Sequence, residues 1–398
     1  MSGFSRRGFL KGLAAVTGAA MGARIPGASW IPEAQAAGEP AAVLLIHFIG
    51  GFNSIFASAQ PLQGNFGVTA NNFTALGGGL TIDNSMASTF SPFIKQHTAA
   101  VGVRHGLSAH DAAQRALWSF NNGNAGLHLA NAIGGNASIK AAVVGGGMDR
   151  DIPGGNVNGT SFQTISDMQK TIDALGGGAP DPRVPDRGIA VSGMTNAQKM
   201  SDNALTGSPE SLESLSNGYK AAIDTLKQPV QKFDYDALKT AYTLGNSTAV
   251  NSFKAKMAAA ELMIRSGTNV VSLFDTGWDT HGDNNGSVVR NKMTSYVLAP
   301  LNTFLTRMVQ DPTRNVTVVM LGDFARSLPG SNHQPNLTAL VMGRNVKVGS
   351  TGKVNADVAV PANTPNVQGM WSLLQTLSGA SAKPFGNNLH PTLVSAGV

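Results

Sequence analysis

Several side chains that can bind a metal ion come shortly after apolar runs of the sequence. Asp279 and His281 follow the run 270–274, and Asp323 follows the run 316–321. Zn²⁺ binds imidazole nitrogen and carboxylate oxygen, whereas harder ions such as Mg²⁺, Mn²⁺ and Ca²⁺ prefer oxygen. Carboxylates and imidazoles in these positions therefore indicate a site for one divalent metal ion, which could be Zn, Mn, Mg or Ca.

Other polar residues occupy equivalent positions in the sequence. They are Asn53, Ser54, His110, Arg326 and His333. Ser54 is a possible nucleophile, although a role in a turn is favoured for it. Arg326 could equally be a solvated helix residue. His47 lies within the first apolar run and is predicted to be a hydrogen-bonded core residue.

The apolar runs themselves predict the fold that positions these side chains. Buried strands are expected at 43–49, 99–103, 270–274, 316–321 and 339–342. Helices are expected at 109–120, 209–226, 235–242, 247–266 and 287–309. Continuous apolar strands alternating with helices predict an α/β fold, in which a mostly parallel sheet is sandwiched by helices. Ligands of such sheets bind at the carboxyl ends of the strands, which is where the candidate residues lie.

One segment interrupts this alternation. Residues 145–229 are rich in Gly, Pro, Asn and Ser, and we interpret them as an irregular insertion or cap over the sheet edge. The remainder of the chain after residue 36 is predicted to form a single domain, 37–398.

The first 36 residues have the pattern of a twin-arginine signal peptide. Arg6 and Arg7 are followed by Phe9, a modest apolar run 12–23 and the sequence Ala-Gln-Ala at 34–36. The run is much shorter than the roughly 20 apolar residues that span a bilayer. The sequence therefore predicts export in the folded state to the periplasm or beyond, with no transmembrane segment in the mature chain.

Charge and cysteine content exclude some classes of function. The chain has 29 Lys and Arg and 23 Asp and Glu; the predicted signal peptide holds four and one of these, which leaves 25 against 22. A net charge this small, on scattered residues, gives no basis for binding nucleic acid. The absence of cysteine suits an oxidising compartment, because no incorrect disulfide can form.

The stretches that carry the candidate residues resemble a bacterial family of exported proteins, domain-of-unknown-function family fifteen-hundred-and-one. This family is a branch of the alkaline phosphatase and sulfatase superfamily. Its members typically show Gly-Gly-x-Asp-Ser/Gly, Ser-His-x-x-Ala-Gln, Gly-Trp-Asp-Thr-His, Ser-Glu-Phe-Gly-Arg and Asp-His stretches. The corresponding residues here are 50–54, 109–114, 277–281, 322–326 and 332–333. The most specific match is 277–281, which is identical at all five positions.

The resemblance implies an alkaline-phosphatase-like fold and a role for each matching residue. Metal ligands would be Asn53, Asp279, His281, Asp323 and His333. Catalytic roles would fall to Ser54, His110 and Arg326. In the wider superfamily a Ser or Thr attacks phosphorus or sulfur while metal ions polarise the ester.

This chain departs from the family pattern at positions that matter for metal binding. Asn53 and Asn332 stand where the family has Asp, and Ala109 stands where it has Ser. Asp323 replaces Glu conservatively. Loss of two carboxylates would weaken the binding of divalent ions, because amides are poorer ligands than carboxylates.

Two hypotheses of function follow from these residues. The first is a binding or envelope-assembly protein with a partly eroded metal site, acting with an unknown envelope partner. The alternative is a metal-dependent hydrolase of phosphate or sulfate esters acting on a small anionic ester, with one metal ion held by Asp279, His281, Asp323 and His333.

Overall fold

The computed structural model describes residues 41–59, 64, 68–135, 137, 139–148, 151–176, 187–204, 233–352, 360 and 363–398. The predicted signal peptide and the predicted helix 209–226 lie outside the described residues. Packing divides the chain into two compact units. The smaller unit holds the helices Met168–Gly176 and Arg187–Ala204, and the larger unit holds every candidate site residue.

The larger unit is built on a nine-stranded sheet, whose strands we number β1 to β9 in chain order. They are β1 Ala41–Phe48, β2 Thr98–Val103, β3 Ala141–Val144, β4 Asn156–Val157, β5 Thr160–Ile165, β6 Val270–Asp275, β7 Asn315–Gly322, β8 Leu337–Gly343 and β9 Gly349–Thr351. Their order across the sheet is β9-β2-β8-β7-β1-β6-β3-β5-β4. Strands β5, β3, β6, β1 and β7 run parallel, whereas β8 is antiparallel to both β7 and β2. The predicted α/β fold with a mostly parallel sheet is confirmed.

All five strands predicted from apolar runs are present, but the strand at 339–342 runs antiparallel to its neighbours. Four strands of the main sheet, β3, β4, β5 and β9, were not predicted, and β4 and β9 have only two and three residues. β3 has only four residues, and β5 mixes polar and apolar residues without a clear apolar run. β5 lies within the range of the predicted insertion and pairs with β3 in the main sheet. Parts of the range 145–229 are not described, and the insertion stays a prediction.

Helices cover the sheet. Those of the larger unit are Asn84–Ala87, Pro92–Gln96, His110–Trp118, Ala125–Ile133, Tyr235–Ala241 from its second residue, Phe253–Arg265, Ser287–Lys292, Leu298–Phe304 and Val367–Leu377. Every residue of β6, β7 and β8 is buried, which requires cover on both faces of the sheet. Helix Phe253–Arg265 packs on β6, and helix Val367–Leu377 packs on β2.

The ends of the predicted helices shift for local reasons. The helix predicted at 247–266 begins at Phe253, because the Ser252 side chain accepts a hydrogen bond from the backbone N–H of Ala255 and caps it. The helix predicted at 287–309 alternates α-helical turns with π-helical turns at Met293–Val297 and Leu305–Val309. Pro300, between these turns, has no N–H to complete the regular α-helical pattern.

Short elements complete the described part of the chain. Single 3₁₀ turns form at Ser54–Phe56, Ala70–Asn72 and Pro391–Leu393. Two-stranded ribbons pair Phe73–Gly77 with Leu80–Asp83, and Ser119–Phe120 with Gly123–Asn124. Among the described residues, no helix has both the length and the apolar character needed to cross a bilayer.

Candidate functional site

The register of the sheet brings the candidate loops to one edge. The last residues of three neighbouring parallel strands are aligned, since Phe48 of β1 lies opposite Asp275 of β6 and Gly322 of β7. Strand β2 ends at the same edge, because its last residue Val103 pairs with Leu337, the first residue of antiparallel β8. The loops after these strands, and the loop that enters β8, therefore meet at the carboxyl edge of the parallel strands.

A small second sheet ties these loops together. It consists of Phe52–Asn53, Ala325–Arg326 and His333–Gln334, which are two-residue strands in the loops after β1 and β7 and before β8. The loop after β1 also packs tightly against the loop after β6. Gly50 has a φ of +114°, and a Cβ atom there would lie 2.3 Å from the backbone nitrogen of Asp279. Only glycine fits this approach.

Asp323 is the buried centre of a hydrogen-bond network at this edge. Its Oδ1 lies 2.7 Å from His47 Nε2, and its Oδ2 lies 2.6 Å from His110 Nδ1. The backbone N–H of Gly50 donates to Oδ2 at 2.9 Å. Burial alone would raise the pKa of Asp323, but the hydrogen bonds from His47, His110 and Gly50 outweigh it and lower the pKa to about 2. Asp323 is thus an ionised carboxylate with both oxygens already engaged.

The hydrogen bonds fix the proton positions on His110. An ionised carboxylate can only accept, so His110 Nδ1 carries the proton that it donates to Asp323. A neutral His110 ring then has a bare Nε2, whose lone pair can bind a metal ion. A carboxylate behind a histidine ligand is a common arrangement in metal sites, because it orients the ring and raises its basicity.

His333 is fixed in the same way by a backbone group. Its Nδ1 lies 2.8 Å from the carbonyl oxygen of Ser108, which can only accept, so Nδ1 donates and Nε2 is bare. Burial lowers the pKa of His333, and the positive charge of Arg326 lowers it further, although the bond to Ser108 opposes both effects. His333 is therefore held as a neutral potential ligand at neutral pH.

Asp279 and His281 complete what we call the edge cluster, defined as His110, Asp279, His281 and His333. One ligand atom each of His110, Asp279 and His333 lie within 4.8 Å of one another. His281 Nε2 lies 3.2 Å from Asp279 Oδ1 and 3.0 Å from His333 Nε2. Four ligands about 2.1 Å from a tetrahedral zinc ion would be about 3.4 Å apart, so the cluster is close to the size of a zinc cage.

His281 differs from the two other histidines in donating a hydrogen bond through Nε2 and not through Nδ1. Because His333 Nε2 is bare, the 3.0 Å contact is a hydrogen bond donated by His281 Nε2. His281 would have to move this proton to Nδ1 in order to bind a metal ion. The fourth coordination position can therefore be taken by His281 or by water.

Arg326 is a buried side chain that bonds to the loops of the edge cluster. Its side chain is fully buried and donates to the carbonyl oxygens of Gly50 and Ser331 and to the Asp279 carboxylate. Burial lowers the pKa of Arg326, and Asp279 opposes that effect. The alternative of a solvated helix residue is wrong, because Arg326 is buried in a short strand. Its donors hold the loops together and hold Asp279 in place.

The other predicted residues lie outside the edge cluster. Ser54 is buried, and its hydroxyl donates to the carbonyl oxygen of Arg326 at 3.3 Å. Asn53 is also buried; its Oδ1 accepts from the backbone N–H of Ile55, while its Nδ2 has no hydrogen-bond partner in the described part of the chain. Asn332 is exposed in the loop before β8. Asp323 lies directly behind His110, with no oxygen directed to a shared metal position.

The structure thus brings together Asp279, His281 and His333, as the sequence predicts, and adds His110 to the same group. Two supporting residues were not predicted. His47 was expected to be a core residue, and it is buried, but it also donates to Asp323. Trp118 donates to His47 at 2.9 Å. The signal in the sequence was His47 itself, a histidine at the second-last position of an otherwise apolar strand.

A family model supports the resemblance. The model described as "protein of unknown function (DUF1501)" matches residues 159–370, which is more than half of the chain. The chain belongs to this family. No curated protein sequence matches this DUF1501 member.

Several solved structures are similar to this DUF1501 protein at a low level. Alkaline phosphatase from the Antarctic bacterium TAB5 is 11% identical, with coverage of 87% of this chain and 100% of that chain and a TM-score of 0.32. A superfamily protein from Vibrio parahaemolyticus is 13% identical, with coverage of 96% and 78% and a TM-score of 0.33. Phosphoethanolamine transferase A of Neisseria meningitidis is 10% identical, with coverage of 94% and 62% and a TM-score of 0.33. Similarity at this level assigns no role to any residue here.

Proposed function

We propose that this DUF1501 protein is exported and binds one divalent cation of the zinc class through His110, Asp279 and His333. The proposal rests on one observation. The Nδ1 atoms of His110 and His333 both donate a hydrogen bond away from the cluster, which leaves two bare Nε2 atoms beside the Asp279 carboxylate. Two imidazoles and a carboxylate are a ligand set that zinc prefers over the harder ions. His281 or water would supply the fourth ligand.

We further propose a binding or envelope-assembly role for this metal site. One form of the ester-hydrolase hypothesis uses Ser54 as a nucleophile and Arg326 as an anion contact. Ser54 is buried and bonded to a backbone carbonyl, and the Arg326 guanidinium donates to two carbonyls and Asp279. Both side chains are buried in this structure, so neither is exposed to a substrate at the edge cluster.

One observation favours hydrolysis as a second candidate. The side chains of His110, Asp279 and His281 are 35%, 50% and 51% exposed, so the edge cluster opens to solvent. Structural zinc sites are usually closed, whereas catalytic sites keep one position for water. A zinc-bound hydroxide could attack a phosphate or sulfate ester without help from Ser54.

Calorimetry on the metal-free mature protein tests the proposal, followed by turnover assays with p-nitrophenyl phosphate and p-nitrophenyl sulfate. We expect one Zn²⁺ to bind per chain, more tightly than Mn²⁺ or Mg²⁺, and no turnover of either ester above the zinc-only control. Zinc-dependent turnover would replace the binding role with the hydrolase. Absence of zinc binding would overturn both.

Export is tested separately with the double variant Arg6→Lys, Arg7→Lys. These residues lie outside the described part of the chain, and the proposal rests on the sequence pattern 5–11 and the Ala-Gln-Ala at 34–36. A lysine ammonium cannot reproduce the planar guanidinium pair, so the unprocessed double variant should accumulate in the cytoplasm. Cell fractionation measures this, and normal periplasmic recovery would contradict it.

A further inference from the structure

We infer that Trp118 and His47 are positioning residues for the metal site, although neither is a ligand. The inference rests on the proposed zinc site and extends it inward by two residues. It is carried by a continuous chain of hydrogen bonds that runs from Trp118 through His47 and Asp323 to His110. All three partners behind His110 are fully or almost fully buried.

The direction of the hydrogen bonds in this chain follows from Trp118, the residue furthest from the metal site. The indole nitrogen of Trp118 can only donate, so His47 Nδ1 accepts at 2.9 Å. The proton of the neutral His47 ring is therefore on Nε2, which donates to Asp323 Oδ1 at 2.7 Å. Asp323 keeps Oδ2 for His110. The indole N–H thus fixes the direction of the hydrogen bond between His47 and Asp323. Asp323 in turn accepts from His110 Nδ1, which leaves Nε2 of His110 bare.

The two ends of the hydrogen-bond chain are joined by one helix. His110 and Trp118 are the first and last residues of the helix His110–Trp118, and both reach back to the sheet. Trp118 holds His47 on β1, and His110 holds Asp323 at the end of β7. The ring of His47 also packs beside that of Trp118, which is parallel to it within 10°, and that of Phe274 of β6. A shift at either end of the helix would therefore move the other.

Loss of the indole donor should loosen this chain without removing a ligand. In Trp118→Phe, His47 Nδ1 would be a buried acceptor with no donor, which costs free energy and removes the bond that fixes the ring. Asp323 would then have one less fixed donor, and His110 would be less well oriented. Changes directly behind a histidine ligand typically cost 10- to 100-fold in metal affinity, and for a change two hydrogen bonds further away we expect about tenfold.

Trp371→Phe is the matched control. Trp371 is also buried, its indole N–H also donates at 2.9 Å, and it packs edge-on against Trp118. Its acceptor, however, is the backbone carbonyl of Leu117, outside the hydrogen-bond chain. Both variants lose similar ring volume and one buried hydrogen bond, so a loss of packing alone would affect them equally.

Zinc calorimetry on the two variants and the unchanged mature protein is the test. We expect about tenfold weaker binding in Trp118→Phe, binding within about twofold of the original in Trp371→Phe, and a changed Co²⁺ visible spectrum only in Trp118→Phe. Equal effects in both variants would overturn the positioning role and leave the proposed zinc site intact. If Trp118→Phe does not fold, benzothienylalanine at position 118 replaces the indole N–H by sulfur with the ring size retained.

A metal-free readout separates this inference from the zinc proposal. In ¹⁵N–¹H spectra of the metal-free protein, we expect His110 to carry its proton on Nδ1, and we expect this signal to broaden or disappear in Trp118→Phe but not in Trp371→Phe. That result would support the positioning role even if zinc did not bind. An unchanged His110 signal in Trp118→Phe would overturn it.

Discussion

Replacement of His333 by glutamine is expected to weaken zinc binding by at least about 100-fold. His333 contributes a bare Nε2 directly to the proposed metal site, whereas changes behind a ligand typically cost only 10- to 100-fold. A glutamine amide oxygen is a poorer zinc ligand than imidazole. The fold should persist, because the pairing of the strand His333–Gln334 with Ala325–Arg326 uses backbone groups. Calorimetry measures the affinity.

His97→Gln is the control for this variant. The Nδ1 of His97 also bonds a backbone carbonyl, that of Phe93 at 2.9 Å, and its ring also contacts a phenylalanine, Phe93, as the ring of His333 contacts Phe324. His97 lies just before β2, at the opposite end of that strand from the edge cluster. Its variant should bind zinc as the original protein does. Equal affinity in both variants would show that His333 is not a ligand.

The edge cluster was largely predictable because strand ends are predictable. Asp279 and His281 follow a buried strand that an apolar run reveals, and the parallel arrangement of neighbouring strands brings such loops to one edge. His333 follows the same logic less directly. It precedes β8, which is antiparallel, so its loop arrives at this edge through the start of a strand. The sequence gives no sign of that reversal.

The roles of Asp323 and His110 could not be separated from the sequence. Both residues follow apolar strands, and both have side chains that bind metal ions. What separates them is burial: Asp323 is fully buried and fully hydrogen-bonded, whereas His110 is partly exposed. A buried carboxylate with both oxygens engaged acts through the histidine that it orients. The identity of its partners depends on contacts between distant parts of the chain.

Arg326 was also ambiguous, for a related reason. An arginine after a strand can extend into solvent or be buried. The free energy of burying it depends on whether hydrogen-bond acceptors surround the buried guanidinium. In this protein three acceptors surround the guanidinium, from the loop after β1, the loop after β6 and the loop before β8. These acceptors come from three separate parts of the sequence, and no sequence pattern identifies them as partners of Arg326.

This arrangement predicts that Arg326→Lys destabilises the fold by about 1–3 kcal/mol, because hydrogen bonds inside the protein are lost. A lysine ammonium is a single compact donor group and cannot satisfy acceptors on Gly50, Ser331 and Asp279 in the directions that the guanidinium fork provides. At least one buried carbonyl would be left without a donor, which adds to the cost.

Denaturation with guanidinium chloride, followed by tryptophan fluorescence, measures this effect, and Arg265→Lys is its control. Arg265 donates to the buried Glu261, but Arg307 donates to both oxygens of the same carboxylate and would keep it satisfied. We therefore expect Arg265→Lys to change the free energy of unfolding by less than about 1 kcal/mol, as is typical of partly exposed ion pairs. Equal unfolding midpoints for the two variants would contradict the structural role of Arg326. A lower midpoint for Arg326→Lys, together with weaker zinc binding, would show that the residue that joins the loops also holds Asp279 in place for the metal ion.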